Sequence, residues 1–105
     1  MDQEKIQKLQ FLEQNLQSIL MQKQSFQMEI SETISALNEV EKSKDDVYKV
    51  IGQIMIKTEK EKIVEELKKK EKTLNMQFKS LEEQEEKFKE ESTKIRDELI
   101  SSVKK

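Results

Sequence analysis

The chain has 105 residues, 33% hydrophobic and 40% charged, and its 20 basic and 22 acidic side chains leave a net charge of −2. That is too little apolar material for a compact core, and too balanced a charge to draw nucleic acid or anionic lipid. The absence of His and Cys removes disulfides and the usual zinc, haem and iron–sulfur ligands, while the absence of Pro and abundant Glu, Lys, Gln and Leu favour long helices.

The N-terminal Met1-Asp2-Gln3-Glu4-Lys5 lacks the basic start and apolar stretch of a secretion signal. Apolar runs such as Ile19-Leu20-Met21 and Ile54-Met55-Ile56 fall far short of the roughly 20 residues that a membrane span requires. The expectation is a soluble cytoplasmic protein.

From about residue 3 to 43 a heptad can be laid with a at Leu9, Leu16, Lys23, Ile30 and Leu37 and d at Leu12, Ile19, Phe26, Thr33 and Val40. All but Lys23 and Thr33 are apolar, which is the pattern of a coiled-coil seam. Ile6, Leu20 and Ile34 at e are expected to widen the stripe. Lys44-Asp45-Asp46 supplies polar turn residues after Ser43.

The stretch from Asp45 to Thr58 reads differently, because it holds the single Gly, the single Tyr and a high density of Val and Ile. β-Branched and aromatic residues suit a strand, and Gly between two such runs supplies the positive φ of a tight turn. A β-hairpin is predicted, Val47 to Ile51 and Ile54 to Lys57, turning at Gly52-Gln53. Both of its faces are apolar and both of its edges lack partners, so it should pair with other hairpins in an oligomer.

Thr58-Glu59-Lys60-Glu61 matches a capping box and predicts a second helix from about residue 59 to 103. Its d positions are Leu67, Leu74, Leu81, Phe88 and Ile95; its a positions, Val64, Glu71, Phe78, Glu85, Ser92 and Leu99, are more polar. Polar a positions cost stability and help to set register. At 1.5 Å per residue the helices would be about 60 and 65 Å long, which implies an antiparallel hairpin with the β insert at one end and both termini at the other. Ser92 and Ser102 in core positions suggest a seam loosely zipped near the termini.

No catalytic set, phosphate loop or metal motif is present, so enzyme activity and cofactors are not expected. The carboxylate runs around Glu82 to Glu91 and the Lys68-Lys69-Lys70 triplet alternate with opposite charges and read as solvated helix faces. Phe11, Met21, Met28, Met76 and Ile100 lie off the seam, where unbranched thioethers could adapt to varied apolar partners or could simply be isolated exposed residues. At the terminal end, Ile6, Phe11, Leu12, Leu99, Ile100 and Val103 are either fraying residues packed on one another or a binding group.

The segment Val47-Tyr48-Lys49-Val50-Ile51-Gly52-Gln53-Ile54-Met55-Ile56-Lys57 resembles a prefoldin β-type subunit, closest to the archaeal kind. Ile19 to Gln24, Ala36 to Val40 and Thr58 to Leu67 extend the similarity over nearly the whole chain, as one domain covering residues 1–105. The resemblance implies a mainly α fold, a long antiparallel coiled-coil helical hairpin joined by one central β-hairpin that assembles into an intersubunit β-barrel. It also implies a hexamer of two α-type and four β-type subunits, an ATP-independent chaperone that holds unfolded or nascent clients at the coiled-coil tips and delivers them to a group II chaperonin. Val47, Tyr48, Val50, Ile51, Gly52, Ile54, Met55 and Ile56 would then form the assembly surface, and Ile6, Phe11, Leu12, Leu99, Ile100 and Val103 the client-binding group. No nucleic acid or membrane partner is implied. The alternative that shares every periodicity is a structural coiled-coil spacer or tether docking through its hairpin.

Overall fold

A computed structural model describes the backbone of residues 2–103 and the side chains of residues 2–102. Four elements follow in order: α1 (Asp2–Lys42), β1 (Val47–Ile51), β2 (Ile54–Thr58) and α2 (Lys60–Val103). The chain packs as two compact units. One joins the residues up to Ser25 with those from Phe78 onward, and the other is Phe26–Gln77.

In the first unit, the N-terminal part of α1 lies against the C-terminal part of α2. Leu12, Ile19, Leu81 and Ile95 are buried there, all of them d positions of their heptads. Successive ion pairs establish the antiparallel sense: Lys5 with Glu98 at 3.3 Å, Glu13 with Arg96 at 2.8 Å and Lys23 with Glu85 at 3.2 Å. Lys23 and Glu85 both occupy a positions, and their side chains are only 18% exposed. The Lys23 ammonium also stands 5.4 Å from the Phe78 ring centroid, a cation–π distance, so the charge is held on two sides. Ser92 is buried as well, and the seam is therefore closed at that point rather than loosened as its composition suggested. Ser102, by contrast, is exposed.

The second unit contains the rest of both helices and the hairpin. Ile63 and Leu74 are buried, together with Thr33, whose hydroxyl donates to the Glu29 carbonyl at 2.7 Å. This back-bond one turn earlier lets a polar residue occupy the seam without an orphaned hydroxyl. Helix α1 stops at Lys42, and the Ser43 amide donates to the Val40 carbonyl at 3.2 Å to close the last turn. Lys60, at the start of α2, then donates to the Glu41 and Ser43 carbonyls at 2.8 and 3.1 Å. A cation thus satisfies acceptors that the end of α1 would otherwise leave open, and it sits where the helix dipole favours positive charge.

The start of α2 corrects the expected capping box. The Thr58 hydroxyl turns back to the Ile56 carbonyl at 3.1 Å, Thr58 is the last residue of β2, and the first helical bond runs from the Ile63 amide to the Glu59 carbonyl at 3.2 Å. The strand claims Thr58 because its partner there is Val47, which extends the ladder by one residue. The expected widening of the stripe is also corrected. Ile6, Leu20 and Ile34 remain 40 to 50% exposed, because the facing helix is too narrow a surface to cover the e flank.

Two results would check this account. Lys23→Ala and Glu85→Ala should each destabilise the chain, and a double-mutant cycle by urea unfolding should return a coupling of about 1 kcal/mol. Gly52 has φ +61°, a conformation in which any side chain is strained even with open space around it. Gly52→Ala should therefore cost about 1–2 kcal/mol locally, read as hairpin amides that exchange about 5- to 30-fold faster while helix content is unchanged.

Candidate functional site: the exposed hairpin and the terminal apolar group

The hairpin register pairs Val47 with Thr58, Tyr48 with Lys57, Lys49 with Ile56, Val50 with Met55 and Ile51 with Ile54. Positive φ at Gly52 and at no other described residue is the type II′ arrangement, whose twist matches that of the two strands. Side chains alternate across the sheet, so one face carries Val47, Lys49, Ile51, Ile54, Ile56 and Thr58 and the other carries Tyr48, Val50, Met55 and Lys57.

Lys49 reaches Glu66 on α2 at 3.2 Å, which turns the first of these faces toward the helices at its root. Lys57 pairs with Asp46 at 3.4 Å across the base of the hairpin. Both pairs are well exposed, so they orient the hairpin more than they stabilise it.

Beyond that root the faces are bare. Tyr48, Val50, Ile51, Ile54, Met55 and Ile56 are 46 to 66% exposed, and only the root pair Val47 and Thr58 is half-buried. Among the described residues the sheet has two strands, which leaves an outer edge on each. Apolar surface on two faces together with two open ladders is what strand addition consumes: backbone groups supply the affinity and the side chains the fit.

The residues expected to form a terminal group are distributed unevenly. Ile6, Phe11 and Ile100 are exposed, with Phe11 at 62%, whereas Leu99 is half-buried. Leu12 is only 3% exposed and belongs to the seam of the first unit. A d position faces the partner helix whatever its distance from the chain end, and this separates Leu12 from its neighbour Phe11. The Val103 side chain lies outside the described residues. Off the seam, Met21 and Met28 on α1 and Met76 on α2 are 65 to 70% exposed.

Sequence reasoning missed the Lys60 cap and the Lys49–Glu66 tie, since neither has a local signature. Among the described residues no group of His, Cys, Asp and Glu could hold a metal ion, and no helix is long and apolar enough to cross a membrane.

Comparison with known proteins bears on this geometry. The prefoldin β subunit of Pyrococcus furiosus is 43% identical over 70 residues, 65% of this chain and 60% of that protein. The prefoldin β subunit of Methanosarcina acetivorans is 41% identical over 76 residues, covering 70% and 65% of the two chains. The alignment with the Pyrococcus protein thus spans less than two thirds of its length. The crystal structure of the prefoldin β subunit from Thermococcus strain KS-1 superposes with a TM-score of 0.93 at 35% identity, covering 99% of this chain and 93% of that one. The β2 subunit of the same strain, at 20% identity and a TM-score of 0.72, shares the fold. The family model described as prefoldin subunit matches residues 3–105, and members of that family are chaperone subunits rather than enzymes. With two long helices, one central hairpin and that match, the chain belongs to the prefoldin subunit family.

Proposed function

We propose that this chain is a β-type subunit of a hexamer of two α-type and four β-type chains, an ATP-independent holdase that acts in the cytoplasm and passes clients to a group II chaperonin. The chain would work as a single prefoldin-type domain over residues 1–105. The observation that carries the assembly claim is the hairpin, apolar on both faces and open at both edges. Burying Tyr48, Val50, Ile51, Ile54, Met55 and Ile56 against neighbouring hairpins would recover about 1.5–3 kcal/mol for each large side chain, and closing a barrel would remove the free edges.

Client holding is assigned to the apolar residues near the chain ends. Ile6, Phe11 and Ile100 offer free surface, while Leu12 and Leu99 become available only where the helix ends part; Val103 is the remaining member of the group. Each contact would be weak, at about 1–2 kcal/mol. Several arms acting on one unfolded chain would add through effective concentration, so promiscuous and reversible capture needs no shaped pocket.

Two experiments test this reading. Val50→Glu with Ile54→Glu places one charge on each hairpin face. It should leave helix content intact and, when the chain is mixed with an α-type subunit, yield free chains or dimers by native mass spectrometry in place of a defined complex. An unchanged complex would remove the hairpin from assembly, and a wild-type chain that ignores every α-type partner would favour the spacer or tether. Phe11→Ser with Ile100→Ser alters exposed residues only, so folding and assembly should persist while suppression of client aggregation falls. Undiminished suppression would overturn the terminal assignment.

A further inference from the structure

With no Cys, the chain carries all of its sulfur in methionine thioethers, which are the side chains that a peroxide oxidises most readily here. Among the described residues four are methionine, and all four are 65 to 70% exposed. Met21, Met28 and Met76 occupy f positions of their heptads, which point away from the seam, so a change at sulfur there disturbs no packing. No a or d position of either helix is methionine. Met55 is the one thioether of the hairpin, directly opposite Val50 in the ladder. It shares a face with Tyr48, Val50 and Lys57, while Lys49 ties the other face toward α2 through Glu66. Lys57 is engaged by Asp46, which leaves Val50 and Met55 as the uncharged middle of that face.

We propose that Met55 is an oxidation site that controls assembly: its conversion to the sulfoxide by hydrogen peroxide leaves the chain folded and stops its hairpin from joining others. The inference rests on the assembly reading above and adds a chemical control to it. The sulfur lone pair attacks one peroxide oxygen, the O–O bond breaks and an S–O bond forms. The proton of the attacked oxygen passes to the departing one, which leaves as water; sulfur loses two electrons and the peroxide gains them. The thioether is apolar and adapts its shape to a neighbour, whereas the sulfoxide carries a strong acceptor. Buried between hairpins beside Val50, that acceptor gives up water without meeting a donor, because the backbone amides around it are spent on the ladder. The coupling is reciprocal: oxidation opposes assembly, and burial in the complex shields the sulfur. Because the seam holds no thioether, the same oxidant spares the coiled coil.

The test oxidises the full chain alone with hydrogen peroxide, removes the peroxide, and mixes the product with an untreated α-type subunit. Peptide mass spectrometry reads oxidation at each methionine, circular dichroism the helix content and native mass spectrometry the complex. Met21, Met28, Met55 and Met76 should each gain one oxygen with helix content unchanged, and the oxidised chain should need about tenfold higher concentration to form the complex. Met55→Leu keeps volume and apolarity and should assemble equally before and after the same treatment, although its other methionines are oxidised. A second measurement needs no variant: in the preformed complex Met55 should oxidise about tenfold more slowly than Met28 and Met76, whereas in the free chain the three should react alike. Full assembly of the oxidised wild type would overturn the proposal, as would an equal loss in oxidised Met55→Leu or a Met55 that reacts as fast in the complex as in the free chain. An untreated wild-type chain that forms no complex with an α-type subunit would instead bring down the assembly reading itself.

Discussion

A pair of helices can bury one stripe on each partner and no more, because neither has a second neighbour. The buried side chains lie along that stripe, Leu12, Ile19, Leu81 and Ile95 in one unit and Leu74 in the other, where Ile63 from the flanking g position joins it. Everything else apolar in the chain must be covered by another molecule or remain in water. The exposed e flank of α1, the outward methionines and above all the hairpin follow from this limit. The hairpin is the extreme case, since beyond its root the apolar residues on both faces of the sheet stand exposed.

The seam itself is not built for maximal strength. Lys23 and Glu85 spend two a positions on a partly buried ion pair, and Thr33 and Ser92 place hydroxyls among apolar neighbours. An all-leucine seam would hold more tightly, but it would pair as readily in shifted registers or with other chains. Opposite charges that meet in only one alignment favour that alignment, because any other leaves a charge buried without a partner. For a chain proposed to assemble through its hairpin, helices that pair within their own chain would keep the two kinds of association separate.

A similar separation shows in how charge is distributed. From Gln7 to Ser25 the outward positions of α1 carry no charge, while those of α2 in the same unit carry several. The first arrangement leaves a surface that is polar but neutral; the second keeps the molecule dispersed in water. The division is invisible in net charge, which is nearly balanced, and appears only when each residue is assigned to a side of its helix.

Much of the fold was legible before any coordinates, because its determinants are local. Heptad periodicity over both helices and one Gly between two β-branched runs specify two helices and a hairpin between them. The hairpin as candidate surface was equally legible, since two apolar faces on two strands exceed what one chain can cover. The terminal group was legible as a set of residue types but not as a surface, because burial separates Leu12 from Phe11 although the two are adjacent in sequence. Tertiary structure alone decided that the Lys60 ammonium reaches the last carbonyls of α1, that the Thr58 hydroxyl serves the strand and not the helix, that Lys23 meets Glu85, and that Ser92 is enclosed while Leu20 and Ile34 are not. These outcomes depend on the axial offset and rotation of one element against another. Periodicity in a single element says which side faces a partner, but not what stands opposite.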